Sequence, residues 1–146
     1  MAEGIGYPEW EALPDFGLYM DQLLLFKERC SPGKLTAGMI NSYVKAGIID
    51  RPVGKKYTRE SLAQLLMVCH LKQVTSLDAL RQLLHPAGGE ETRELYAHFL
   101  EGLERLERAG SIREPMSALE YALAAARCQS RCMELLGRET DDTPVC

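Results

Sequence analysis

Apolar residues along this chain recur three and four positions apart, in segments separated by glycine and proline. That spacing places side chains on one face of an α-helix. Leu18, Leu23, Leu24, Leu25 and Phe26 give a wide face to a helix expected from Phe16 to about Arg29, with Asp15 as its N-cap and "CSPGK" as its end. Ile40, Tyr43 and Val44 mark the inner face of a short helix capped by Thr36 and ending near Ala46, with Gly38, Asn41, Ser42 and Lys45 outside. Gly47 suits that helix end because it takes a positive φ without penalty. "IIDRPVGKKY" carries Pro52 and Gly54 and predicts a tight hairpin or loop. Thr58 caps the next helix, to about Lys72, with a stripe of Leu62, Leu65, Leu66 and Cys69. Ser76 caps a further short helix with Leu77, Leu80 and Leu84 inward.

"HPAGG" then reads as a linker and hinge, before an acid-rich helix from Glu90 to Ala109 with Leu95, Phe99, Leu103 and Leu106 on one side. Pro115 is placed to start a final long helix, which Gly137 stops. Along it Met116, Leu119, Leu123, Ala126, Ser130 and Met133 form a heptad-like seam, the pattern of a helix that packs on a partner helix. The expected fold class is all-α. Residues 1–15 form an irregular arm pinned by Tyr7 and Trp10, and residues 16–85 four helices with a hairpin between the second and the third. Residues 90–137 form a helical region that pairs two copies into a homodimer, and residues 138–146 a flexible tail.

Composition fits one soluble domain: 146 residues, 46% hydrophobic and 26% charged. No apolar run is long enough to span a bilayer, so no membrane partner is expected. The acidic N-terminus lacks the pattern of a secretory leader, and a cytoplasmic location is expected. Net charge is −4, yet it is unevenly spread. Between Ser31 and Arg59 six basic residues (Lys34, Lys45, Arg51, Lys55, Lys56, Arg59) face one acid, Asp50, so this segment is +5 and the remainder −9. Binding follows the local patch rather than the total, so the segment points to a polyanion. The plainer reading is a solvated face that happens to be basic.

The helix, glycine, basic loop and second helix resemble the winged helix-turn-helix of MerR-type transcription regulators. "INSYVKAGI" resembles their motif at Ile40, Tyr43, Gly47 and Ile48, and "RPVGKKYTRESLAQLLMVCHLK" their wing and following helix, with Tyr57 at the aromatic position. "VTSLDALRQLL" is similar to their next short helix. The MerR pattern carries Arg where this chain has Asn41. "LTAGMINSYVKAGII" followed by "KKYTRESLAQLLMVCHLKQVTSLDALRQLL" resembles more closely a bacterial family, domain-of-unknown-function family 1836, from about Phe16 to Leu84 and more weakly to Phe99. The resemblance implies an all-α, MerR-like winged helix-turn-helix with a small wing and additional C-terminal helices.

On that frame the expected partner is double-stranded DNA. Thr36 sits at a helix N-terminus, where unpaired N–H groups and the dipole suit phosphate. Asn41 has the amide that pairs with adenine in a major groove, and Ser42 and Lys45 share its face. Arg51, Lys55, Lys56 and Tyr57 would hold the backbone. Tyr43 and Tyr57 also fit as core aromatics, and Asn41 and Lys45 as plain surface. The rival function keeps the fold and reads protein through the acidic C-terminal half.

No P-loop, GxSxG, HExxH or Rossmann glycine pattern occurs, and an enzyme is not expected. His70 reads as a core or boundary histidine. No cofactor is implied. Of five cysteines, Cys128 and Cys132 stand one helical turn apart with Arg127 and Arg131 beside them. They supply half of a tetrahedral metal site, and the simpler reading is an inert pair on an alanine-rich helix.

Overall fold

The computed structural model describes residues 6–86, 88–109 and 117–142, and of residues 109, 132, 133 and 136–142 it describes the backbone alone. The described residues form six α-helices and no strand longer than a bridge: α1 (Met20–Cys30), α2 (Ala37–Lys45), α3 (Arg59–Leu71), α4 (Leu77–Leu84), α5 (Thr92–Ala109) and α6 (Ala118–Asp142). The all-α class expected from the sequence holds.

The centre of the molecule is α3. Every residue from Ser61 to Cys69 is buried, where the sequence pattern gave only a stripe. A helix apolar or small on all sides is one with neighbours on all sides, and α1, α4, α5 and α6 all pack on α3. Its polar exceptions are bonded, as buried polar groups must be. The Ser61 hydroxyl donates to the Asp50 carbonyl (2.9 Å). Gln64 accepts from the Asp50 N–H (2.7 Å) and donates to the Thr92 hydroxyl (3.3 Å).

α1 begins at Met20, four residues later than the Asp15 cap implied. Gly17 turns the chain at φ 84°, and Leu18 then exchanges both main-chain hydrogen bonds with Tyr57 (2.9 and 2.7 Å). Leu18 is thus committed to an antiparallel bridge rather than a helical turn. The start of α1 is instead marked by Gln22, whose side chain accepts from the Tyr19 N–H (2.9 Å).

In α4, Leu80 and Leu84 are buried as expected, but Leu77 points outward. α6 begins at Ala118, and Pro115, the expected first helical residue, lies outside the described residues. Ser117 and Glu120 form a reciprocal capping box, Ser117 Oγ accepting from Glu120 N–H (3.1 Å) and Glu120 from Ser117 N–H (2.9 Å). The helical backbone continues through Gly137 to Asp142. A lone helical glycine costs only about 1 kcal/mol and does not stop a helix by itself. The tail expected from residue 138 is therefore helical as far as Asp142; residues 143–146 lie outside the described residues.

One hydrophobic cluster runs from Trp10 to Ala124, so "HPAGG" links elements that share a core. The arm is part of it. Trp10 and Leu13 are buried around a 3₁₀ turn, and the Gly6 N–H donates to the Cys30 carbonyl (3.0 Å). The Tyr96 hydroxyl donates to the Pro8 carbonyl (2.7 Å), and Glu11 pairs with Arg93 (2.8 Å). The heptad seam is internal as far as Ala126, and Ser130 beyond it is exposed. Leu119, Leu123 and Ala126 are buried within the chain, where α6 packs on α5 and α3. Met116 and the Met133 side chain lie outside the described residues.

Candidate nucleic-acid interface

α2 is shaped by signals at both its ends. Thr36 Oγ1 accepts from the Met39 N–H (3.2 Å), which satisfies one orphan donor of the first turn. At the other end Gly47 has φ 77°. Its N–H donates to the Val44 carbonyl (3.1 Å) and that of Ile48 to the Tyr43 carbonyl (3.0 Å). These two bonds are a Schellman motif. Ile40 and Tyr43 face inward and are buried, while Val44 is half-buried. Thr36, Gly38, Asn41, Ser42 and Lys45 are exposed, as the periodicity predicts.

Ile48 and Ile49, both buried, anchor the chain that leaves α2. His85 bonds the Ile48 carbonyl (2.9 Å), and Asp50 is held through its main chain by Ser61 and Gln64. From this fixed base rises the hairpin. Val53 and Lys56 exchange main-chain bonds (2.8 and 3.1 Å) around Gly54 and Lys55. Gly54 has φ 66° and no described non-glycine residue, Lys55 included, has a positive φ, the φ signs of a type II′ turn, whose twist matches a hairpin. The projection is two central residues wide at its tip, and Arg51, Val53, Lys55 and Lys56 are exposed on it.

Most of the described arginines outside this surface are paired, although Arg29 and Arg127 have no carboxylate partner among the described residues. Arg59, Arg81, Arg93, Arg105, Arg108 and Arg131 each pair with a carboxylate. Lys34, Lys45, Arg51, Lys55 and Lys56 pair with none among the described residues, and all five are exposed. Lys56 lies along Gly17, where an added Cβ would stand 3.0 Å from its own Cβ, and its ammonium sits 5.3 Å from the centre of the Tyr19 ring. Asp50 and Glu60 are exposed beside the hairpin and neutralise none of the five.

Two expected members of the site have other duties. Tyr57 is 6% exposed and belongs to the core, with its main chain bridged to Leu18; an aromatic at the hairpin base is worth more buried than solvated. The Ser42 hydroxyl donates to the Gly38 carbonyl (3.1 Å), which leaves its oxygen as an acceptor. Arg59, counted in the basic segment, is structural: it pairs with Asp15 (3.3 Å) and lies over the Trp10 ring at 5.3 Å. Lys34 stands in the opposite position. It was only part of the charge count, yet it is exposed and unpaired two residues before the α2 cap. Of the two cysteines weighed as metal ligands, Cys128 is an exposed free thiol and the Cys132 side chain lies outside the described residues. No group of three or more potential metal ligands occurs among the described residues. Nor is any described helix long and apolar enough to cross a membrane.

Residues 8–99 match the family described as Domain of unknown function (DUF1836). The match spans the arm from Pro8, α1 to α4, the hairpin and α5 as far as Phe99, which is more than half of the chain. The protein belongs to this family. Comparison with curated proteins and with solved structures gave no match.

Proposed function

We propose that this member of the domain-of-unknown-function family 1836 is a transcription regulator that binds duplex DNA through a MerR-like winged helix-turn-helix. In this reading α2 is the recognition helix and the Val53–Lys56 hairpin is a small wing. The observation that carries it is the set of five exposed cations without carboxylate partners around α2 and the hairpin, in a chain whose arginines elsewhere are mostly paired. Uncompensated cations on rigid elements are what a phosphate backbone requires. Asn41, whose amide has no partner among the described residues, supplies base readout in the major groove. Ser42 accompanies it as an acceptor. Lys34, Lys45, Arg51, Lys55 and Lys56 hold phosphates, as do the free N–H groups at the α2 terminus near Thr36.

The assembly is proposed as a two-fold homodimer. Because Leu119, Leu123 and Ala126 are covered within the chain, its contact falls to α6 beyond Ala126, where Arg127 to Arg131, Glu134 and Leu135 are exposed. Light scattering that gives only a 16.3 kDa species at micromolar concentration would end that part of the proposal.

The test of DNA binding is fluorescence anisotropy with duplexes recovered by selection from random sequence, titrated across salt. Each phosphate contact contributes about −0.9 to the slope of log K against log salt. Lys55→Ala with Lys56→Ala should flatten the slope by roughly 2 per protomer and weaken every sequence alike. Asn41→Ala should leave the slope unchanged and relax preference at one base pair by about 1–3 kcal/mol. Absence of duplex binding by the unaltered protein at low salt refutes the reading. A protein-interaction module on the same fold would then take its place.

A further inference from the structure

A cavity of about 320 Å³ opens between the arm, the C-terminal part of α3, α5 and α6. Its volume lies within the range of small-molecule sites. One wall is apolar, made by Leu100, Leu103 and Leu106 of α5 with Ala126 of α6. Another is aromatic. Tyr7 and His70 line it, and both rings are locked edge-on against each other (5.7 Å between centres) and against the buried Phe99 (5.4 and 5.6 Å). The Tyr7 hydroxyl lies 3.1 Å from His70 Nδ1, so the polar ends of these two residues meet each other. Burial lowers the His70 pKa and keeps its ring uncharged near neutrality.

The lining also carries charge of one dominant sign. Glu9, Glu104 and Glu107 stand against a single guanidinium, that of Arg127. Glu104 reaches Arg108 at 3.6 Å. Neither Glu9 nor Glu107 pairs with a cation among the described residues. A tyrosine ring in the lining is attractive to a cation, and carboxylates at the margin of an apolar hollow add to that attraction. We propose that this cavity binds a compact organic cation with an apolar body, of the quaternary ammonium or phosphonium class. The site is separate from the basic surface, and its occupancy does not depend on the DNA-binding reading.

The test uses two probes with the same four-ring body and opposite charge, tetraphenylphosphonium and tetraphenylborate. Each is titrated into the full-length protein by calorimetry at physiological salt, without DNA. The phosphonium should bind saturably with one site per chain, and the borate more weakly by about tenfold or more. Glu9→Gln with Glu107→Gln changes only exposed side chains and should weaken the phosphonium while tightening the borate, which loses two repelling charges. Leu103→Trp, checked for folding by circular dichroism, should block both. Equal affinity for the two probes would reduce the cavity to an apolar surface and overturn the proposal. So would no phosphonium binding at millimolar concentration, or an affinity that the glutamate changes leave intact.

Discussion

A lysine ammonium with a carbonyl but no carboxylate is a costly group to bury. Lys27 is 3% exposed, and its ammonium donates to the Gly33 carbonyl (3.1 Å), which ties the loop after α1 to the helix. Removing a buried charge in favour of a similar apolar shape is often neutral or stabilising. Lys27→Met forfeits one hydrogen bond of about 1 kcal/mol and relieves a larger desolvation cost, so urea unfolding should show a midpoint at or above that of the unaltered protein. His70 gives a second residue-scale consequence. Its folded pKa lies below the ordinary value because of burial, whereas the unfolded ring takes a proton near pH 6.5. The unfolded state therefore binds more protons as pH falls below about 6.5, and stability present above that pH declines toward the depressed folded value. His70→Gln keeps a polar partner for Tyr7 and has no proton to gain. The loss of stability between pH 7.5 and 5.5 should be smaller in that variant, measured by urea midpoints at both values.

At the scale of elements, two glycines show what local pattern carries and what it omits. Gly38, on the exposed face of α2, has space for a Cβ, whose nearest neighbour would be Thr36 Oγ1 at 3.8 Å. Gly38→Ala should raise stability by roughly 0.5–1 kcal/mol through helix propensity. Gly102 is buried in α5, and a Cβ there would meet Leu123 Cδ1 of α6 at 2.6 Å. Leu123 is itself fully buried and cannot swing clear. Overpacking costs about 1–3 kcal/mol and outweighs the same propensity gain, so Gly102→Ala should lower the unfolding midpoint. Opposite signs for one substitution in two helices would confirm that α5 and α6 approach through Gly102. Position along the chain foretold the first glycine and was silent on the second. The faces of α2, its Thr36 cap and the role of Gly47 were legible because each depends on neighbours within a few residues. The start of α1 was not, and the choice between core and phosphate for Tyr57 stayed open, because both are decided by a pairing distant in sequence. Leu18 looks like any helical leucine until Tyr57 pairs with its backbone. Tyr57 looked available to phosphate because a hydroxyl says nothing about which way its ring is packed.

Across the whole molecule, the sequence pattern divided what the fold unites. Proline and glycine at residues 86–89 read as a boundary, yet α5 beyond it packs on α3 before it, and the arm is fastened to both. The candidate interface was more legible than this architecture, since its charge and periodicity are contiguous in sequence. What local pattern did not reveal was how firmly that surface is held. Gln64 sits at the centre of the fold with no exposure, and its one side chain grips the Asp50 amide at the base of the hairpin and the Thr92 hydroxyl at the head of α5. An amide in a loop ordinarily trades its proton for deuterium through small local fluctuations. The Asp50 amide cannot, because releasing it means withdrawing a buried glutamine from the interior. Its exchange in heavy water should keep pace with the amides of α3, slow and governed by global opening, while the Lys55 amide at the hairpin tip exchanges quickly. In Gln64→Leu the Asp50 amide should join the fast class. The hairpin base would then belong, on the clock of proton exchange, to the core rather than to the surface on which it is drawn.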